Sequence, residues 1–162
     1  MTTLSLADFT TPNLLISALH SRTVVGVVNE LNSALHLNDA LPENLFLMPA
    51  TVNRELLTSL TMDCGMVISQ VRHSALASTR FTLGRAREPL AWRANWLKPI
   101  EFVCLIVEPA GRPNEYVEVL TALAYLSKDA DILNPLRAAA TADEMLTILR
   151  KVPLGAGQLT VR

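Results

Sequence analysis

The segment from Asp63 to His73 (DCGMVISQVRH) holds most of the residues in this chain that could take part in chemistry. The apolar stretch from Gly65 to Ser69 is typical of a buried strand, and we predict a polar loop from Gln70 to Thr79. In that loop His73 follows Arg72, and an exposed imidazole there could act as a base or accept a phosphoryl group. A lone loop histidine is more often incidental, so His73 does not define a site by itself.

Other nucleophilic or metal chemistry has little support in the sequence. Cys64 and Cys104 are far apart and lack CxxC spacing, so we interpret both as reduced packing residues. The three histidines, His20, His36 and His73, are not spaced as metal ligands, and we predict no metal and no other cofactor. The glycine-rich nucleotide-binding motifs and the G-x-S-x-G motif of serine hydrolases do not occur.

Length and charge exclude several classes of protein. A chain of 162 residues is the size of one domain, so we predict a single domain over residues 1–162, with loose termini at 1–12 and 154–162. Its 14 Lys and Arg residues against 15 Asp and Glu give no reason to expect binding to nucleic acid or to an anionic membrane. Because the chain shows neither an apolar run of roughly 20 residues nor an export signal, we expect a cytoplasmic protein without membrane insertion.

Apolar periodicity predicts strands that alternate with helices. The predicted strands are 13–19, 65–69, 80–85 and 102–107, and the predicted helices are 22–37, 50–60, one that follows Asn114, 131–140, and one that opens at Thr141. We expect Ser21 and Asn114 to be N-caps, Pro135 to lie in a first turn, and Thr141 with Glu144 to form a capping box. Residues 38–49 are predicted to be a loop. Trp92 and Trp96 are expected to pack inside the protein, with a place at an interface as the alternative.

Strands interleaved with helices indicate an α/β fold, a three-layer sandwich with a mixed sheet between helical layers. In such folds ligands bind where strands end, and the loop after Ile68 is such a place. Arg54 and Glu55, on the predicted helix 50–60, lie off its apolar stripe and by themselves are typical of a solvated surface.

The order and spacing of four pieces resemble a known family. The pieces are LLISALHSRTVVGVVNEL, RELLTSLTMDCGMVISQVR, FVCLIVEPAGRPNEYVEVLTALAYLSKD and LRAAATADEMLTILRK. From Asn13 to Val152 the chain is similar to the enzyme IIA domains of the fructose/mannitol type of the bacterial sugar phosphotransferase system, including the nitrogen-regulatory phosphocarriers. The resemblance implies a five-stranded mixed sheet flanked by helices on both faces.

In that family a G-[IV]-A-[IL]-P-H-x-[RK] segment carries the histidine that takes a phosphoryl group from an HPr-like carrier and passes it to a IIB domain. Here Gly65 matches the glycine and Arg72 the basic residue, whereas Ser69 replaces the proline and Gln70 replaces the histidine. The resemblance therefore implies that the phospho-acceptor is missing, because a carboxamide cannot form a phosphoramidate.

Other family positions have also changed. The family's S-T-G-I-G turn corresponds to residues 59–63, where Thr61 and Asp63 stand in place of glycines, and we expect Asp63 to repel an arriving phosphate. Tyr116 takes the place of a second family histidine. The family's Arg-Glu pair remains as Arg54 and Glu55, and Arg54 could still hold an anion.

These substitutions lead to three hypotheses. In the first, the chain is a degenerate IIA domain that carries no phosphate and acts as a regulatory module that binds proteins, such as an HPr-like carrier, a IIB domain or a regulatory protein. In the second, it is an active phosphoryl carrier that uses His73 as a displaced acceptor. In the third, the likeness is one of architecture only, since a fold does not determine a function.

Overall fold

The computed structural model describes residues 4–38, 60–90, 99–111 and 113–154, with only the backbone described for Pro113 and Asn114. Five strands, four α-helices and two short 3-10 helices (Leu6–Phe9 and Pro12–Leu14) occur in these residues. The strands are β1 (Leu15–Leu19), β2 (Leu60–Met62), β3 (Met66–His73), β4 (Arg80–Leu90) and β5 (Ile100–Pro109). The helices are α1 (Val24–Leu37), α2 (Pro113–Lys128), α3 (Ala130–Ala138) and α4 (Ala142–Leu149).

The strands form one mixed sheet in the order β1-β4-β5-β3-β2. β1 pairs with β4 and β3 with β5 in parallel, whereas β4 with β5 and β2 with β3 are antiparallel. β5 lies in the middle of the sheet, and its residues 102–108 are all buried. The continuous apolar run that predicted a central strand is explained by this cover on both faces.

Each face of the sheet has its own apolar core. On one face Ile68, Phe81 and Ile106 pack with residues of α2, α3 and α4. On the other face Val67 and Leu105 pack with Val28 and neighbouring residues of α1. The expected α/β sandwich with a five-stranded mixed sheet between helical layers is confirmed.

The predicted loop after Ser69 is wrong for its first residues, because β3 continues to His73. Gln70 to His73 pair in unbroken register with Ile106 to Pro109 of β5. Polar residues can continue this strand because its parallel pairing with β5 extends to the last residue. The short strand β2 was not predicted either, since three residues give too little alternation to recognise.

Several helix boundaries also differ from the predictions. Thr23, not Ser21, caps α1, because its hydroxyl accepts a hydrogen bond from the Gly26 amide at 3.1 Å. α2 begins at Pro113, so Asn114 lies inside the helix and is not its cap.

Pro135 lies beyond the first turn of α3, which begins at Ala130. The prediction for this proline is wrong, and the exposed Pro135 lacks the amide that would donate a hydrogen bond within α3.

The capping box of α4 forms in a modified way. The Thr141 hydroxyl accepts from the Glu144 amide at 3.2 Å, as predicted. The Glu144 carboxylate accepts from the amide of Ala140, at 2.7 Å, and not from that of Thr141.

The prediction of a loose N-terminus is wrong for residues 4–12. Leu6 and Phe9 are buried in the core, and the Leu6 amide donates to the Val152 carbonyl at 3.0 Å. The Leu154 amide donates in turn to the Leu4 carbonyl at 2.9 Å. The burial of two large apolar side chains holds this segment against the end of the chain.

Some predictions fall outside the described residues. These are the loop after Asn38, residues 50–59 of the predicted helix with Arg54 and Glu55, and the segment that contains Trp92 and Trp96. The predicted last residue of that helix, Leu60, lies in β2 instead.

Candidate functional site

Gln70 lies toward the carboxyl end of β3, beside the carboxyl end of the parallel strand β5. Its register partner is Ile106, and two residues further on Arg72 pairs with Glu108. Because side chains alternate along a strand, those of Gln70, Arg72 and Glu108 lie on one face of the sheet, the face covered by α2 to α4. The geometry brings an amide, a guanidinium and a carboxylate together, and we call them the Gln70–Arg72–Glu108 cluster.

Glu108 is the centre of this cluster. Its side chain is fully buried, and Oε1 accepts hydrogen bonds from Nε2 of Gln70 and, at 2.7 Å, from Nε of Arg72. A buried carboxylate is tolerable only when it is paired and hydrogen-bonded, and Arg72 supplies the opposite charge. Oε2 is equally buried, yet no donor in the described part of the chain reaches it.

This pairing fixes what Gln70 can do. The side-chain amide of Gln70 donates a hydrogen bond to Glu108 and so helps to hold this buried carboxylate in place. Two unit charges about 4 Å apart near a protein surface interact by about 4 kcal/mol, and two negative charges repel by that amount. A phosphoryl group at position 70 would therefore be repelled by the Glu108 carboxylate, and Arg72, which pairs with that carboxylate, offsets part of the repulsion.

Glu108 is not among the site residues predicted from the sequence. The sequence does contain a signal for this residue. Glu108 follows directly on the apolar run of β5 and comes immediately before Pro109. A charged residue that continues a buried strand is unusual and indicates a pairing or a function. Only the tertiary structure shows that its partner is the residue at the expected acceptor position.

Tyr116 lies at the same end of the molecule, in the first turns of α2, where it is half-buried and packs against the core on that face. Its neighbour Glu115 accepts a hydrogen bond from the Thr79 hydroxyl at 3.1 Å. Thr79 directly precedes β4, and the antiparallel pairing of Arg80 with Val107 places Thr79 next to Glu108 of β5. This hydrogen bond therefore attaches the start of α2 to the sheet beside Glu108.

His73 is not brought to this cluster. It is the last residue of β3, and the alternation of side chains directs it to the face opposite that of Gln70 and Arg72. Its side chain is exposed, and Nδ1 accepts a hydrogen bond from the Ala75 amide at 3.0 Å. A rotation within the loop could not carry it into the cluster, because the residue is held in the strand.

Asp63 is not brought there either. It lies in the turn between β2 and β3, before Met66, and the four steps from Met66 to Gln70 alone span about 13 Å. That distance exceeds the screening length of about 8 Å at physiological salt. The expectation that Asp63 repels a phosphate at Gln70 is wrong, and Glu108 supplies the negative charge in its place.

The turn at Asp63 has a structural explanation of its own. Gly65 has φ +91°, and its carbonyl accepts from the amides of Glu101 and Phe102 at 2.7 and 3.1 Å. Burial raises the pKa of the Cys64 thiol, and the nearby Arg137 guanidinium offsets part of that increase. A thiol whose pKa is raised is a poor nucleophile at neutral pH, which agrees with a packing role.

A larger opening lies elsewhere, along the outer side of α1. It is a wide groove of about 750 Å³ lined by residues of β1 and α1, among them Ile16, His20, Glu30 and Leu37. The Glu30 carboxylate accepts hydrogen bonds from the amides of His20 and Ser21, which fixes the connection between β1 and α1. None of the residues of the Gln70–Arg72–Glu108 cluster lines this groove.

Arg54, the remaining residue predicted for the site, lies outside the described residues. In the part of the chain that the structure describes, no helix combines the length and the apolar character needed to cross a membrane.

Comparisons with known proteins agree with this fold. A nitrogen regulatory protein of Bradyrhizobium diazoefficiens is 23% identical over 149 residues, which cover 91% of this chain and 96% of that protein. The crystal structure of nitrogen regulatory protein IIA-Ntr from Neisseria meningitidis superposes with a TM-score of 0.75 at 21% identity, covering 89% of this chain and 98% of that one. The Escherichia coli mannitol enzyme IIA, solved in complex with phosphorylated mannitol enzyme IIB, gives a TM-score of 0.69 at 15% identity, with 86% and 95% covered.

The model of the family described as "Phosphoenolpyruvate-dependent sugar phosphotransferase system, EIIA 2" matches residues 10–152. This match spans β1 to β5 and all four described helices. The chain therefore belongs to the EIIA 2 family of the phosphoenolpyruvate-dependent sugar phosphotransferase system.

Proposed function

We propose that this EIIA domain does not carry a phosphoryl group and acts in the cytoplasm as a regulatory module that binds partner proteins. The observation that carries the proposal is the hydrogen bond between Gln70 and the buried Glu108. Gln70 stands where the family's acceptor histidine is expected, and its amide is committed to a carboxylate. Both the missing imidazole and the added negative charge oppose phosphoryl transfer.

The alternative of an active carrier that uses His73 has weaker support. Phosphoryl transfer depends on the positioning of the acceptor and on groups that stabilise developing charge. His73 lies on the opposite face of β3 from Arg72 and has one imidazole nitrogen bonded to Ala75. Phosphoryl transfer through His73 would require stabilising charges other than those of the Gln70–Arg72–Glu108 cluster.

Arg72 is the cluster member that a partner could contact. Its side chain is 44% exposed, and the bond to Glu108 uses only Nε, which leaves the two terminal amino groups of the guanidinium for an acidic partner. The mannitol IIA relative was solved with a IIB protein, and the Bradyrhizobium relative is named for nitrogen regulation. We infer a partner of the IIB, HPr-like or regulatory kind, bound at the carboxyl end of β3.

Incubation with an HPr-type protein, its phosphorylating enzyme and phosphoenolpyruvate tests the first part of the proposal. We expect no acid-labile phosphate on the wild-type protein, measured by intact mass at neutral pH. Gln70→His should stay nearly unlabelled because Glu108 remains charged, whereas the double variant Gln70→His/Glu108→Gln should gain label. Acid-labile label on the wild type would overturn the proposal, and its loss in His73→Ala would establish the alternative.

Titration of unphosphorylated HPr-type and IIB proteins into the isotopically labelled protein tests the second part. We expect amide resonances around Arg72 to shift on binding, and Arg72→Gln to weaken it. Arg150→Gln removes the same charge at the exposed end of α4 and serves as the control. Binding that the two variants weaken equally would contradict a docking site at Arg72.

A further inference from the structure

A second polar pocket lies at the opposite end of the sheet from Gln70, where β5 begins. It has a volume of about 170 Å³ and is lined by Arg85, Arg87 and Arg137, with Glu101 as the one acidic residue among the described lining residues and Phe102 as an apolar one. The six steps along β5 from Phe102 to Glu108 span about 20 Å, so this pocket is separate from the Gln70–Arg72–Glu108 cluster. We call it the arginine pocket.

Two of the three guanidiniums are held in place by the fold. Arg137 donates from Nε to Glu101 at 2.8 Å and from Nη2 to the Cys64 carbonyl at 3.3 Å. Arg85 donates from Nε to the Ser17 carbonyl on β1 at 3.1 Å. Side chains that are already ordered lose little entropy when a ligand binds, which favours binding.

Arg87 completes the pocket from an irregular part of β4. The pairing of β4 with β5 shifts register between Arg85 and Leu90, and such irregularities redirect side chains at functional sites. Arg87 is exposed, and within residues 4–38, 60–90, 99–111 and 113–154 it forms no hydrogen bond or ion pair that would occupy its guanidinium. The adjacent Glu88 faces Arg22, at 3.4 Å, and does not line the pocket.

The charge balance of the pocket indicates a dianionic ligand. Glu101 is paired with Arg137, so the charges of Arg85 and Arg87 are not offset by an acidic residue of the pocket. A phosphate monoester carries a charge of about −1.5 to −2 at neutral pH and presents three acceptor oxygens. Guanidinium groups bind such oxygens through paired hydrogen bonds.

The size of the pocket limits the ligand further. Sites for whole drug-sized ligands enclose roughly 300–1,000 Å³, so about 170 Å³ admits a phosphate group and few other atoms. We propose that the arginine pocket binds the phosphate group of a small phosphomonoester, whose remaining atoms stay outside. This site is independent of the proposed loss of phosphoryl transfer at Gln70.

Titration with inorganic phosphate at constant ionic strength, followed by NMR of the arginine Nε–Hε groups, tests the proposal. We expect saturable shifts at Arg85, Arg87 and Arg137. Arg87→Gln should weaken binding by about tenfold, as expected for the loss of a charge-assisted contact. The matched control Arg150→Gln makes the same change of net charge away from the pocket and should alter binding by less than about twofold.

Three results would overturn the proposal. The first is the absence of saturable shifts, and the second is an equal loss of binding in Arg87→Gln and Arg150→Gln, which would indicate only the net charge. The third is a result that excludes a phosphomonoester as the ligand. Either acetate binds as tightly as phosphate, or glycerol phosphate fails to bind. Stronger binding of glycerol phosphate than of acetate supports it.

Discussion

Glu108 is a fully buried acidic residue that pairs, among the described residues, with one cation, the half-exposed Arg72. Removing one partner of a buried ion pair is costly because the other charge stays behind, whereas removing the buried charge itself relieves that cost. Arg72 can turn to solvent, but Glu108 cannot. The two residues should therefore respond differently to substitution.

We predict that Arg72→Ala lowers the free energy of unfolding by about 2 kcal/mol, below the usual range for buried pairs because Arg72 is partly exposed. Glu108→Gln should lower it by less than about 1 kcal/mol, since Gln70 and Arg72 then lose a contact without an orphaned charge. Urea unfolding of both variants measures the difference. The double variant Arg72→Ala/Glu108→Gln should be more stable than Arg72→Ala. If its loss of unfolding free energy equals the sum of the two single losses, the assigned pairing is contradicted.

The hairpin of β2 and β3 shows how an element depends on one backbone position. Gly65 directly precedes β3 and has a positive φ of +91°, and a Cβ placed there would lie 2.7 Å from the Pro99 carbonyl oxygen. Its own carbonyl holds the start of β5 through two amides. This geometry explains why a glycine stands at position 65, at the end of β3 that is distant from Gln70.

We predict that Gly65→Ala costs about 2 kcal/mol of stability, because both the backbone conformation and the contact with Pro99 become unfavourable. Gly111→Ala is the matched control, since an added Cβ there meets no atom within 4 Å, and it should change stability by less than about 0.5 kcal/mol. Thermal and urea unfolding compare the two. Equal effects would show that the turn tolerates a side chain.

At the scale of the whole molecule, the two ends of the described chain close against each other. The segment of Leu6 and Phe9 enters the same core as Leu149 and Val152, and Ser5 bridges to Pro153. The helical layer on the Gln70 face is therefore completed by residues from the beginning of the chain.

We predict that Leu6→Ala lowers the free energy of unfolding by about 3 kcal/mol, because it leaves a cavity in a closed core. Leu4→Ala provides the control, since that side chain is 52% exposed, and should cost less than about 0.5 kcal/mol. Chemical unfolding measures both. A Leu6→Ala variant as stable as the wild type would show that the segment does not contribute to the core.

The sequence by itself determined the fold class, the central strand, the helices near the end of the chain and the family. These follow from apolar periodicity, from a capping box and from the order of motifs, all of which are local properties of the chain. The resemblance to the family also led to the expectation that Gln70 stands at the acceptor position.

Only the tertiary structure decided which groups surround Gln70. The pairing of β3 with β5 brings Glu108, 38 residues later, to the Gln70 amide, and it turns His73 to the other face. The same register leaves Asp63 at the far end of β3. Such relations depend on strand pairing between distant segments, because a single residue of register reverses every side chain, and a local pattern does not specify that register.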